Sequence, residues 1–266
     1  MLKRKKSSGF IAAISGTALL ATGLFGASAA SASSPDIAEA EAFFAAMEDY
    51  QKENPTDFEG LAEVAQEYGG SFQVSTNLTG VTSPKVAAQL MNTESMDDVL
   101  PFSDFPADVF TVAISSSAHP ASTVVGVSGT VNWRDNFAGQ AAPYDVASLS
   151  FSSQCGTLSG YNAQTYRVSG ASTNLAHLRD GGAGTGAPTW NINAYTSGFE
   201  NLADKTIVSV SYDKAGCGTS NVQAGFIHEG NQGGSIVSVS AGFMGLSVGY
   251  SSPGLSLQKG TQAITI

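Results

Sequence analysis

The chain has 266 residues, 42% hydrophobic and 13% charged, and its 22 Asp and Glu against 12 Lys and Arg give a formal net charge of −10. An acidic surface repels phosphate backbones and anionic headgroups, which argues against nucleic acid as a partner. With three histidines and two cysteines there is little material for a metal centre or thiol chemistry, and no cofactor or metal is expected.

Residues 1–32 read as a signal peptide. Lys3, Arg4, Lys5 and Lys6 precede an apolar run from Phe10 to Phe25, and Ala30-Ser31-Ala32 supplies the small-residue exit. Cleavage after Ala32 fits best, with Ala29 and Ala30 as alternatives. Its removal leaves eight basic against twenty-two acidic residues, a formal charge of −14. The expectation is a secreted, extracellular product. Cys155 and Cys217 are expected to pair as a disulfide in that setting, since no nucleophile signature surrounds either.

Residues 33–70 read as an N-terminal helical hairpin. Ser34-Pro35 opens the first helix, with Ile37, Ala40, Phe44 and Met47 at helical spacing. Thr56-Asp57-Phe58-Glu59 reads as a capping box for the second, with Phe58, Leu61, Ala62, Ala65 and Tyr68 on one face and Gly69-Gly70 as its stop. Residues 71–107 are transitional. Phe72, Val74 and Leu78 suggest a strand, and Ser83-Pro84 opens a short helix.

From 108 to 266 the apolar period becomes two. Phe110, Val112 and Ile114 alternate, as do Val125, Val127, Val131 and Trp133, then Leu149 and Phe151, Trp190 and Ile192, Val208, Val210 and Tyr212, and Val222, Ala224, Phe226 and His228. Turn residues separate the runs. The fold class expected is mainly β, an antiparallel sandwich or barrel-like domain behind the two-helix hairpin. The Gly-rich stretch from Asp180 to Thr189 lacks a following helix, so it reads as a surface loop and not as a phosphate cradle.

No catalytic constellation stands out in the sequence. There is no H-E-x-x-H and no G-D-S-G, and no acidic pair stands out among Asp145, Glu200, Asp204, Asp213 and Glu229. Trp133, Trp190, Tyr195 and Tyr212 are candidate binding residues that could stack on sugars, with a core or rim role as the alternative.

The C-terminal stretch carries the sharpest signal. No charge occurs between Glu229 and Lys259. Val237, Val239, Ala241 and Phe243 share one parity; Met244, Leu246, Val248 and Tyr250 share the other. Glycines at 242 and 245 point to a bulge at the phase change, with the reversal at Pro253-Gly254. Val237, Val239, Phe243, Met244, Leu246, Val248 and Tyr250 are thus a candidate membrane or assembly strand. Uncharged alternation of small polar and apolar residues suits a barrel wall and edge pairing, but the plainer reading is a bulged strand pair inside a sandwich, with Ser and Gly facing solvent. A reversal at Phe243-Met244 would leave arms of about seven residues, short of the roughly 9–11 that cross a bilayer.

Binding or assembly is therefore favoured over catalysis. The reading is a secreted non-enzymatic β-rich protein acting by extracellular binding or self-association. The alternatives are a pore-forming, toxin-like protein inserting residues 235–266 as an amphipathic hairpin, and a secreted carbohydrate-directed hydrolase. Partners to consider are an extracellular glycan, a protein, a membrane, or a second copy of the chain.

Overall fold

The structure is a computed structural model and describes residues 35–92, 110–133, 145–153, 155–167, 172–173, 176–183, 186–192, 203–229, 235–243, 245–251 and 256–266. The leader reading, and residues 93–107 of the transitional stretch, lie outside these residues.

Two helices come first. α1 (Pro35–Glu53) begins on proline with Asp36 in its first turn and ends near Lys52, which bridges Glu48 one turn earlier at 2.9 Å. Its buried face is Ala40, Phe43 and Met47. The expected stripe is rotated by one residue: Phe44 is half-buried and Ile37 is 49% exposed. Both phenylalanines reach the interior side, and the sheet takes Phe43. α2 (Phe58–Glu67) is capped by Asp57, whose carboxylate accepts from the Gly60 N–H at 3.0 Å. The expected cap, Thr56, instead donates to Asn92 Oδ1 at 2.7 Å, which frees the next residue to close the helix. Gly69 has φ +71°, and the Gly70 and Gly69 N–H groups donate to Ala65 O and Gln66 O, a Schellman ending.

Strands β1 (Ser71–Thr76) and β2 (Gly80–Thr82) form a hairpin. Helix α3 (Pro84–Met91) follows, capped by Ser83. Then come β3 (Phe110–Ala118), β4 (Val124–Trp133), β5 (Asp145–Phe151), β6 (Thr157–Arg167), β7 (Ser172–Thr173), β8 (Ala176–Asp180), β9 (Thr189–Ile192), β10 (Ala203–Asp213), β11 (Asn221–Glu229), β12 (Ile236–Gly242), β13 (Gly245–Tyr250), β14 (Ser256–Gly260) and β15 (Ile264–Thr265).

The strands build three antiparallel sheets. A seven-stranded sheet runs β2-β1-β3-β4-β10-β6-β7. A second runs β14-β11-β5-β9-β8, with β15 also on β11, and β12 and β13 pair only with each other. The sheet thus starts at residue 71, because β1 pairs along its whole length with β3.

Strand alternation fixes the layers. Val112, Ile114, Val127, Val208 and Val210 from the first sheet meet Leu149, Trp190, Val222 and Phe226 from the second in the central core. The opposite parity of β1 and β3 presents Val74 and Ala113 to the helices, where Phe43, Phe58, Leu61 and Met91 cover them. The opposite parity of β5 and β11 presents Val146 and Ile227 to the β12–β13 hairpin. The chain is therefore a β-sandwich with helices on one outer face and a hairpin on the other. The Gly-rich stretch is less of a loop than expected: Gly186, Ala187 and Pro188 are buried, and Gly186 O and Pro188 O accept from the Phe151 and Leu149 N–H groups. These residues extend the β9 side of β5 without forming a regular ladder.

Candidate functional site

The β12–β13 hairpin differs from every other described strand pair because neither strand bonds to a larger sheet. Gly242 sits opposite Gly245, so the chain reverses across residues 243 and 244. This corrects the expected bulge at Phe243-Met244 with reversal at Pro253-Gly254. The single long hairpin expected over 235–266 is also two structures. Residues 236–250 form the hairpin, while β14 and β15 return to β11 and carry Ile264 and Ile266 into the central core.

The physical reason is face selection. Across a two-residue reversal, residues of opposite parity become cross-strand partners. Val239 pairs with Val248 and Ala241 with Leu246, so the two apolar sets merge on one face. That face packs on Val146 and Ile227. The other face carries Ser238 opposite Gly249 and Ser240 opposite Ser247. Burial of one face outweighs the poor turn chemistry of Phe-Met. The parity switch beside two glycines was the signal for this turn.

The hairpin is lightly held. Among its described side chains only Leu246 is buried. A register shift between Ile236 and Ser238 leaves Val237 67% exposed. The Gln223 side-chain amide donates to Phe243 O at the tip, and the base is closed by Ser251 N–H donating to Ser235 O at 2.9 Å. Met244 and the Tyr250 side chain lie outside the described residues.

The aromatic candidates do not converge. Trp133, Trp190 and Tyr212 are buried between the sheets, Trp133 against Phe110 and Phe226, and Tyr212 stacked on Phe151. Their faces are already occupied, so the structure does not offer them to a sugar. Tyr195 lies outside the described residues. Cys155 and Cys217 are bridged, with Cα atoms 5.8 Å apart and a sequence separation of 62. On the chain-entropy model a loop of that length stabilises the fold by about 4 kcal/mol.

The histidines stand on separate elements. His119 is buried, receives the Ala121 N–H on Nδ1 and donates from Nε2 to Tyr68 O at 3.0 Å. His177 is exposed on β8. His228 Nδ1 lies 2.9 Å from Asp145 Oδ1, both side chains 2–3% exposed, with the imidazole edge-on to Trp133. The carboxylates have structural partners too: Asp204 meets Lys205 at 2.9 Å, and Asp213 accepts from Thr123 and from the Ala215 N–H, which holds its carboxyl below the usual range. The Glu229 side chain and Glu200 lie outside the described residues. Among the described residues no group of three His, Cys, Asp or Glu could hold a metal ion. No described helix is long and apolar enough to cross a membrane.

No protein-family model matches the chain, and no curated protein does. Solved structures similar to it include the collagen binding subdomain of the Enterococcus faecalis surface protein ACE, at 8% identity, covering 50% of this chain and 86% of that one with a TM-score of 0.27. A pore forming protein aligns at 6% identity over 73% of this chain and 95% of that one, TM-score 0.31. The KRT10-binding region domain of the pneumococcal serine rich repeat protein PsrP aligns at 13% identity over 68% and 98%, TM-score 0.30. At these scores the likenesses carry no argument about what this chain does.

Proposed function

We propose that this is an exported, non-enzymatic β-sandwich protein whose working part is the β12–β13 hairpin, which leaves the sandwich, pairs edge to edge with hairpins of other copies, and enters a neutral lipid bilayer. The observation that carries the reading is the two-faced hairpin itself: an uncharged ribbon with Val239, Ala241, Leu246 and Val248 on one face and Ser and Gly on the other, held by one buried side chain. That is the alternation a barrel wall needs, apolar outward and small polar inward. Both outer edges of the ribbon are unpaired among the described residues, so neighbouring copies can complete the ladder. Export is supported by the basic-apolar leader and by the disulfide.

Length is the demand the folded hairpin does not yet meet. Its arms are 7 and 6 residues, and a crossing strand takes about 9–11. The charge-free run from Glu229 to Lys259 supplies the remainder. Keeping the register of the turn would align residue 233 with 254, giving arms of about ten, and would straighten the shift at Val237 onto the apolar face. Neutral lipid is the expected target because the acidic chain is repelled by anionic headgroups.

A tether tests this. A Cβ at Gly225 on β11 would lie 3.3 Å from Leu246 Cβ on β13, close to the roughly 3.5–4.5 Å of a disulfide. The wild-type protein should release dye from phosphatidylcholine–cholesterol vesicles. The oxidised Gly225→Cys/Leu246→Cys protein should not, and mild reduction should restore release, with reduced wild type as control. Intact vesicles with wild type remove the membrane reading. Larger species in light scattering without leakage would leave edge pairing between copies as the function.

A further inference from the structure

On the other side of the molecule an open groove of 480 Å³ lies between α1 and the outer face of the seven-stranded sheet. Register builds its floor. Ser115 pairs with Ser128, Ser128 with Ser209, and Ser209 with Asn162, so one polar row crosses β3, β4, β10 and β6. A second row runs from Ser117 through Gly126 to Ser211. Neighbouring strands stand about 4.8 Å apart, which sets the spacing of hydrogen-bonding groups along each row. Glycine keeps the floor open. A Cβ at Gly126 would meet Ser117 Oγ at 2.8 Å, and one at Gly160, where φ is +59°, would meet Ser211 Oγ at 2.9 Å.

The walls differ in character. Phe44 on α1 lines one side, and Gln51 reaches down to accept from Ser128 Oγ at 3.2 Å. Tyr161 lines the far end, its hydroxyl turned to Gly181 O at 2.9 Å beyond β8 of the second sheet.

We propose that this groove binds a neutral oligosaccharide. No Lys, Arg or His is among the described residues lining it, and its carboxylate, Glu48, is already paired with Lys52 at 2.9 Å. An anion would find no counter-charge there. An apolar chain would strip water from the serine rows and return no hydrogen bonds. A peptide strand adds to the edge of a sheet, and this is a face. A sugar offers hydroxyls to the rows and C–H faces to Phe44 and Met47, the mixture of apolar walls and placed polar groups that fixes a small ligand. The groove is on the opposite sheet from the hairpin, so the proposal stands whether or not the hairpin enters a membrane.

The test is calorimetric titration of the purified protein with maltohexaose, cellohexaose, xylohexaose and chitohexaose, alongside sialylated and sulfated glycans. At least one neutral hexasaccharide should bind. Phe44→Ala removes the aromatic wall, and Ser209→Leu fills the floor; each should weaken that binding by about tenfold or more, with the circular-dichroism spectrum of the parent. Should one variant fail to fold, the other decides. Absence of binding to every neutral hexasaccharide, binding confined to the charged glycans, or affinity unchanged by both substitutions overturns the proposal.

Discussion

The two outer faces of the sandwich are covered in different ways. The helical cover places Phe43, Phe58, Leu61, Ala65 and Met91 in the interior, and it is pinned by polar contacts: Tyr50 to Asp57 at 2.6 Å, Thr56 to Asn92 at 2.7 Å, and Tyr166 on β6 to Lys52 O at 3.0 Å. The hairpin cover buries Leu246 alone among its described side chains. Fully burying one large apolar side chain contributes about 1.5–3 kcal/mol, so the helices are stabilised several times more strongly than the ribbon. The helical cover belongs to the cooperative fold. The hairpin sits at the low end of local stability, where moving elements are found. On the readings proposed above, a part that leaves the sandwich needs this kind of weak seat, and a wall of a binding groove needs the opposite.

Truncating one anchor in each cover sharpens that contrast. Phe58→Ala should cost about 3–5 kcal/mol and lower the midpoint of global unfolding in urea, because the space it vacates lies among rigid neighbours. Leu246→Ala should cost about 2 kcal/mol, at the low end for leucine, and only locally. Hydrogen exchange should quicken over 236–250 while the urea midpoint of the sandwich hardly moves. Equal global losses from both would break the comparison, since the hairpin would then be part of the cooperative unit.

The smallest effect concerns alkaline pH. The hydrogen bond to Asp57, with burial, pushes the Tyr50 hydroxyl up to about 12, and burial does the same for Tyr166. Both then hold their protons in the folded state at pH values where the unfolded chain, near 10, releases them. Stability from these groups is complete below pH 10 and is lost as pH rises through 12. Helix exposure should therefore begin in that window, followed by circular dichroism. Tyr50→Phe should cost about 1 kcal/mol at neutral pH by removing one hydrogen bond, and Tyr50→Phe/Tyr166→Phe should flatten the alkaline slope. A slope unchanged in the double variant would place the sensitivity elsewhere.

Much of the scaffold was legible because period two survives in nearly every strand. Phe110, Val112 and Ile114 read as one face and lie in one core. Ser83-Pro84 and Gly69-Gly70 read as helix punctuation and act as such. The sites were less legible. Trp133, Trp190 and Tyr212 share parity with core valines, which told that they face one way but not that a second sheet covers that way. Phe44 read as part of the apolar stripe of α1, so nothing in its neighbours marked it as a groove wall. The serines of β3, β4 and β10 belong to no motif one strand at a time; only the register lines them up in rows.

The amino-acid order alone determined the antiparallel class, the helical start and the uncharged, alternating C-terminal ribbon, because these depend on chemistry repeated over a few neighbouring positions. Tertiary structure decided which face of each strand is covered, by what, and where the ribbon reverses. Alternation says which side chains point together, but burial of one set against a distant partner is what selects the register, and that partner is 100 residues away for Leu246 on Val146 and 70 for Ala113 beneath Phe43.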